Sequence, residues 1–97
     1  MAKLPYVIDY KKPAEKFFRK HEKVRKAYED YLKDFLTGEH PERVDVKTIK
    51  GKRNEYYRMR IGEWRIIYMI LDGKITVINT LLAGSRGDIY KKISGLN

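Results

Sequence analysis

Arg58, Arg60 and Arg65 fall within one short stretch, Tyr57-Arg-Met-Arg-Ile-Gly-Glu-Trp-Arg65, and Arg86 and Tyr90 follow after a second apolar run. Arginine is permanently charged and presents a planar fork of donors that matches a pair of phosphate oxygens. Tyrosine adds a ring on which a base can stack and a hydroxyl that hydrogen-bonds. Such a set suits a phosphodiester. RNA is unusual among phosphodiesters because its 2′-hydroxyl is a built-in nucleophile. A site that aligns this hydroxyl, neutralises developing charge and manages two proton transfers could break the strand without a metal.

Other chemistries find little support. Ser85 and Ser94 are the only serines, and neither lies in a nucleophile-elbow context. There is no phosphate-binding glycine loop and no dinucleotide fingerprint. Glu55, Glu63 and Asp88 are scattered, His21 and His40 do not form a metal cluster, and cysteine is absent, which removes disulfides and thiolate metal sites. The expectation is a site with no cofactor and no metal. The formal charge is +9, and from residue 48 onward ten basic residues stand against four acidic ones. A basic surface also serves solubility, but this excess lies on the arginine-bearing half and favours an anionic partner there.

Strands and turns must position these residues. Gly62-Glu63 places glycine first in a two-residue loop, as a type II′ hairpin requires, and Asp72-Gly73 is a favoured type I′ pair. The first turn predicts Ile61 opposite Trp64, Arg60 opposite Arg65 and Met59 opposite Ile66. The second predicts Leu71 opposite Lys74, Ile70 opposite Ile75 and Tyr68 opposite Val77. Alternation then assigns Tyr57, Met59, Ile61, Trp64, Ile66, Tyr68, Ile70, Ile75, Val77 and Leu81 to a core face. The other face holds Tyr56, Arg58, Arg60, Arg65, Ile67, Met69, Thr76, Ile78 and Thr80. Arg60 facing Arg65 costs stability unless an anion lies between them. The apolar strip of Ile67, Met69 and Ile78 beside the arginines points to a second protein covering part of this face.

Upstream, residues 6–10 alternate and predict a first strand. From Pro13 the spacing turns helical through Ala14, Phe17, Phe18, His21, Val24, Tyr28, Tyr31, Leu32, Phe35 and Leu36, and Gly38 suits the position past the end. One unbroken helix would be about 37 Å long, too long for a domain with a radius of gyration near about 12–13 Å. A break between Lys20 and Lys23 and a helical hairpin are therefore expected, with His21 packed rather than acting as a ligand. Glu39 to Asn54 reads as a polar connection. Its basic end, Lys50, Lys52 and Arg53, is either a solvated loop or a phosphate-contacting one. The expected architecture is α+β in a single domain over residues 1–97: strand, helical hairpin, three-stranded antiparallel meander. No apolar run matches a signal peptide or a membrane span, so a soluble cytoplasmic protein is expected.

Tyr57-Arg-Met-Arg-Ile-Gly-Glu-Trp-Arg-Ile-Ile-Tyr68 resembles the core motif of the RelE/ParE toxin superfamily, and Gly84-Ser-Arg-Gly-Asp-Ile-Tyr90 resembles its closing motif. The order of elements agrees over nearly the whole chain, implying a RelE-like microbial RNase-type fold. The resemblance implies a type II toxin, neutralised by a cognate antitoxin, that cleaves mRNA in the ribosomal A site. It assigns phosphate binding to Arg58, Arg60 and Arg65, leaving-group protonation or charge stabilisation to Arg86, and substrate stacking to Tyr90. Lys50, Lys52, Arg53, Lys91 and Lys92 are expected to touch RNA. Members that inhibit DNA gyrase share the fold, and an inactive relative whose arginines merely hold RNA would carry the same residues, so both alternatives stay open. Some ribosome-dependent members carry lysines where this chain has Arg58 and Arg60, and arginine does not deprotonate. The general base is left among Tyr90, Glu63 and a lysine of the 39–54 connection.

Overall fold

The computed structural model describes residues 6–50 and 55–93, with only the backbone of Arg43 and Ile93. The order is β1 (Tyr6–Tyr10), α1 (Lys12–Lys20), α2 (Glu22–Thr37), a 3-10 turn at Pro41–Arg43, β2 (Asp45–Lys50), β3 (Glu55–Ile61), β4 (Trp64–Leu71), β5 (Thr76–Ser85) and α3 (Arg86–Ile93). The strands form one sheet in the order β1-β5-β4-β3-β2, with β1 parallel to β5 and the other pairs antiparallel. The expected strand, helical hairpin and β3-β4-β5 meander are present. They carry two additions: six of the sixteen residues of the 39–54 connection form the edge strand β2, and the C-terminal segment is the helix α3.

Helices α1 and α2 cover one sheet face. Ala14 and Phe18 from α1, and Tyr28 and Leu32 from α2, are each four residues apart and buried against Met59, Ile66, Tyr68, Ile78 and Ala83. Tyr28 stacks on Phe18 at 5.6 Å, and its hydroxyl meets Thr80 Oγ1 at 2.7 Å in the buried core. The helix break falls at His21, inside the expected window. There the chain leaves helical geometry at φ −135°, ψ 62°. No glycine or proline causes the break. The His21 ring instead stacks on Phe17 at 4.4 Å and lies 4.7 Å from Trp64, so tertiary contact with the β3–β4 hairpin holds the bend. Gly38 caps α2 at φ 76°, its N–H donating to Asp34 O.

The first hairpin has the expected register, with Gly62 at φ 57°. The second does not. Leu71 pairs with Val77, Ile70 with Ile78 and Tyr68 with Thr80, and a bulge between Ile67 and Tyr68 then brings Ile67 opposite Leu82. Asp72-Gly73 thus does not form a two-residue turn; residues 72–75 connect the strands. The offset from the expected pairing is odd, and side chains alternate with period two, so the leading half of β5 is inverted. Ile78 and Thr80 belong to the core and are fully buried, Ile75 is exposed, and Leu81 packs on the opposite face. β1 pairs along Thr76–Thr80 and makes this half of β5 an interior strand, and the buried Thr80 hydroxyl is satisfied there by Tyr28.

On that opposite face, Ile89 of α3 closes over Ile67, Leu82 and Tyr56, with Ile49, Met69 and Leu81 packed around them. The apolar strip beside the arginines is therefore covered largely by the chain's own last helix. No helix among the described residues is long and apolar enough to cross a membrane.

Candidate active site

Strand alternation sends Arg58 and Arg60 of β3 and Arg65 of β4 to the sheet face away from α1 and α2. Arg60 pairs directly with Arg65, as expected. Arg58 and Arg65 are more deeply set than a solvated face would allow, with 8% and 6% of their surface exposed, whereas Arg60 stays open. Each arginine is held differently. Arg65 Nη1 donates to the carbonyls of Gly62 and Trp64 at 3.0 Å, so the hairpin's main chain clamps its guanidinium. Its Nε is buried and has no hydrogen-bond partner among the described residues.

Arg58 Nη2 donates to Asp45 Oδ1 at 3.3 Å, and Arg60 Nη1 lies 3.9 Å from Asp45 Oδ2. Asp45 is the first residue of β2 and stands opposite Arg60 in the ladder. It was absent from the sequence-derived set because residues 39–54 read as a connection. The alternation of Val44 and Val46 with Asp45 and Lys47 was the available signal.

The remaining members come from α3. Ser85 Oγ accepts from the N–H of Asp88 at 3.4 Å, which caps the helix start and sets Arg86 on its first turn. Burial depresses the proton affinity of Arg65, the positive charges of Arg60, Arg58 and Arg86 depress it further, and Tyr90 opposes them. Arg86 and Tyr90 thus share the electrostatic field of the sheet arginines. Tyr90 is 55% exposed, which leaves its ring open to a stacking partner. Four like charges brought this close make a strongly cationic surface, which a neighbouring anion would stabilise.

The lysines expected to touch RNA are dispersed. Lys50 is exposed and pairs with Glu55 at the other end of β2, roughly 17 Å along the strand from Asp45. Lys52 and Arg53 lie outside the described residues. Lys91 and Lys92 are exposed on α3, and Lys92 lines a groove of about 810 Å³ with Lys12, Lys16, Phe17, His21 and Trp64. None of the site arginines lines that groove. Among the described residues, no group of three or more His, Cys, Asp or Glu could hold a metal ion.

The chain matches known proteins in two ways. A family model for the ParE toxin of the type II toxin-antitoxin system parDE matches residues 8–87. A chain in the crystal structure of the RelB–RelE antitoxin–toxin complex from Methanococcus jannaschii aligns with a TM-score of 0.51 at 24% identity, covering 87% of this chain and 96% of that one. No curated protein matches. At 24% identity the structural likeness speaks for the fold alone, and it agrees with the α+β architecture described above. With its family model spanning β1 to the start of α3, the protein belongs to the ParE toxin family of type II toxin–antitoxin systems, within the RelE/ParE toxin superfamily.

Proposed function

We propose that this toxin is an endoribonuclease that cleaves mRNA in the ribosomal A site. The observation that carries this reading is the convergence of Arg58, Arg60, Arg65, Arg86 and Tyr90 on one electrostatic centre. Arg65, immobilised by two carbonyls, offers a preorganised guanidinium to a scissile phosphate, and Arg58 and Arg60 add charge as a pentacoordinate phosphorane develops. The 2′-oxygen attacks phosphorus, the bond to the 5′-oxygen breaks, and the products are a 2′,3′-cyclic phosphate and a 5′-hydroxyl. Arg86, on the first turn of α3, stabilises charge on the departing 5′-oxygen. The exposed ring of Tyr90 stacks on the substrate base.

The partner in this reading is a cognate antitoxin, as the solved RelB–RelE complex pairs a toxin-fold chain with an antitoxin. The place of action is the cytoplasm, where mRNA is translated. Expression of the wild type and of Arg86→Ala under tight control, followed by mapping of mRNA 5′ ends, tests the proposal. Codon-positioned cuts with the wild type, lost in the variant, are expected; their absence from the wild type overturns it.

A second reading follows from the family model itself, which is the ParE one: inhibition of DNA gyrase without RNA cleavage. It predicts gyrase-dependent DNA cleavage complexes on expression, with mRNA left intact.

A further inference from the structure

Nothing described so far removes the proton from the attacking 2′-hydroxyl. The arginines cannot, because guanidinium does not deprotonate in proteins. Of the groups considered from the sequence, Lys50 stands at the far end of β2 and Glu63 sits in the exposed turn of the β3–β4 hairpin. Tyr90 is in the field of the site, but its exposed ring serves base stacking in this reading.

Resting on the mRNA-cleavage reading, we propose that Asp45 is the general base: its carboxylate takes the 2′-proton while Arg58 and Arg60 hold both the carboxylate and the phosphate.

Four features of the site carry this. Asp45 lies on the same sheet face as the arginines, directly across the ladder from Arg60. Its contacts, 3.3 Å to Arg58 and 3.9 Å to Arg60, are too long for a closed bidentate pair and leave lone pairs for a new donor. Its side chain is 47% exposed, so an incoming hydroxyl can reach it, whereas Arg58 beside it is nearly buried. The charge balance also permits it. One carboxylate against Arg58 and Arg60, with Arg65 facing Arg60 across the ladder, leaves a cationic surplus for the phosphate. A carboxylate offers acceptor lone pairs to the hydroxyl, whereas the ammonium of Lys47, opposite Arg58 in the same ladder, offers donors only.

The step balances. Asp45 accepts the 2′-proton, the 2′-oxygen forms its bond to phosphorus, and the bond to the 5′-oxygen breaks with its electron pair on that oxygen. The 5′-oxygen takes a proton from solvent water, and Asp45 returns its proton to solvent, so no co-reactant is consumed.

The charged groups that face Asp45, and so shape any titration seen through it, are Arg58 and Arg60 on β3, with Lys47 two residues along its own strand and Arg65 behind Arg60 in the next strand. The test uses the full-length toxin on programmed ribosomes under single-turnover conditions, as a function of pH. The wild type is expected to show a limb rising with unit slope on the acid side of neutrality. Asp45→Asn, nearly isosteric, should slow cleavage by about 10²–10⁴-fold and abolish that limb, with ribosome binding retained. Asp45→Glu should keep the limb. An Asn variant that cleaves at the wild-type rate, or that slows but keeps the limb, overturns the role of Asp45 and reduces it to holding the arginines. The wild-type profile is independent of whether either variant folds: a rate that rises only through the amine or phenol range overturns the proposal. An mRNA with a 2′-deoxynucleotide at the scissile position separates the two levels. Its cleavage by the wild type defeats attack by the 2′-hydroxyl and Asp45's role with it, failure of the wild type to cleave ordinary mRNA defeats the nuclease reading itself, and cleavage of only the ordinary mRNA with an unaltered Asp45→Asn profile defeats Asp45 alone.

Discussion

Arg60 and Arg65 face one another across the β3–β4 ladder, a like-charge pair in which Arg65 is buried and Arg60 is open to solvent. Asp45 approaches Arg60 from the other side, but no closer than 3.9 Å, so the repulsion is relieved only in part. The surface is electrostatically costly in the absence of an anion, as a preorganised phosphate site should be.

Arg60→Thr therefore should stabilise the fold while weakening function. A gain of about 0.2–1 kcal/mol in urea denaturation is expected from removing a facing like charge. Added phosphate should raise the melting temperature of the wild type more than that of the variant. Equal stabilisation of both by phosphate would show that the pair is not the anion site.

The buried tyrosines predict a loss of stability at high pH. Burial pushes the Tyr28 hydroxyl well above its ordinary pKa, and burial with the neighbouring Tyr57 does the same for Tyr68. Both fold as neutral phenols, so their contribution is complete below the unfolded value near about 10 and is lost as pH rises above it. Above that point each should lower the unfolding free energy by about 1.4 kcal/mol per pH unit. Denaturation between about pH 8 and 11.5 checks the slope. Tyr68→Phe should flatten it, and an unchanged slope in that variant would remove Tyr68 from the account.

Ile89→Ala tests whether the site depends on α3 being docked. Ile89 is fully buried against Ile67, Leu82 and Tyr56 and is the apolar anchor of an eight-residue helix. Truncation should cost about 2–5 kcal/mol. Hydrogen exchange should speed up most over residues 86–93 while β3 and β4 stay protected. Because Arg86 and Tyr90 travel with this helix, cleavage should fall although neither was altered. Full activity in a destabilised variant would mean that α3 does not position the site.

Tyr90 separates stacking from proton chemistry. Tyr90→Ala should weaken productive substrate binding by about 1–3 kcal/mol, the value of one base on an aromatic ring, while Tyr90→Phe should retain most activity. If Phe and Ala are equally defective, the hydroxyl is the functional part and stacking is the wrong role.

Much of this molecule follows from local patterns. The arginine spacing on β3 and β4, the Gly62-Glu63 hairpin, the core face of the first two meander strands and the cap at Gly38 each depend on a few neighbouring residues, and each is legible in the chain. The helix break was legible only through a size limit, since the contacts that make it, His21 with Phe17 and Trp64, are partly long-range. Three features belong to the tertiary structure alone. The β4–β5 register was decided by β1 lying alongside β5, which outweighed the turn preference of Asp72-Gly73. The cover over Ile67 and Leu82 is α3, whose docking no periodicity within the strands could reveal. Asp45 reached the arginines only because β2 pairs with β3; strand pairing joins residues by register rather than by sequence distance, and an edge strand of six residues carries too weak an alternation to declare itself.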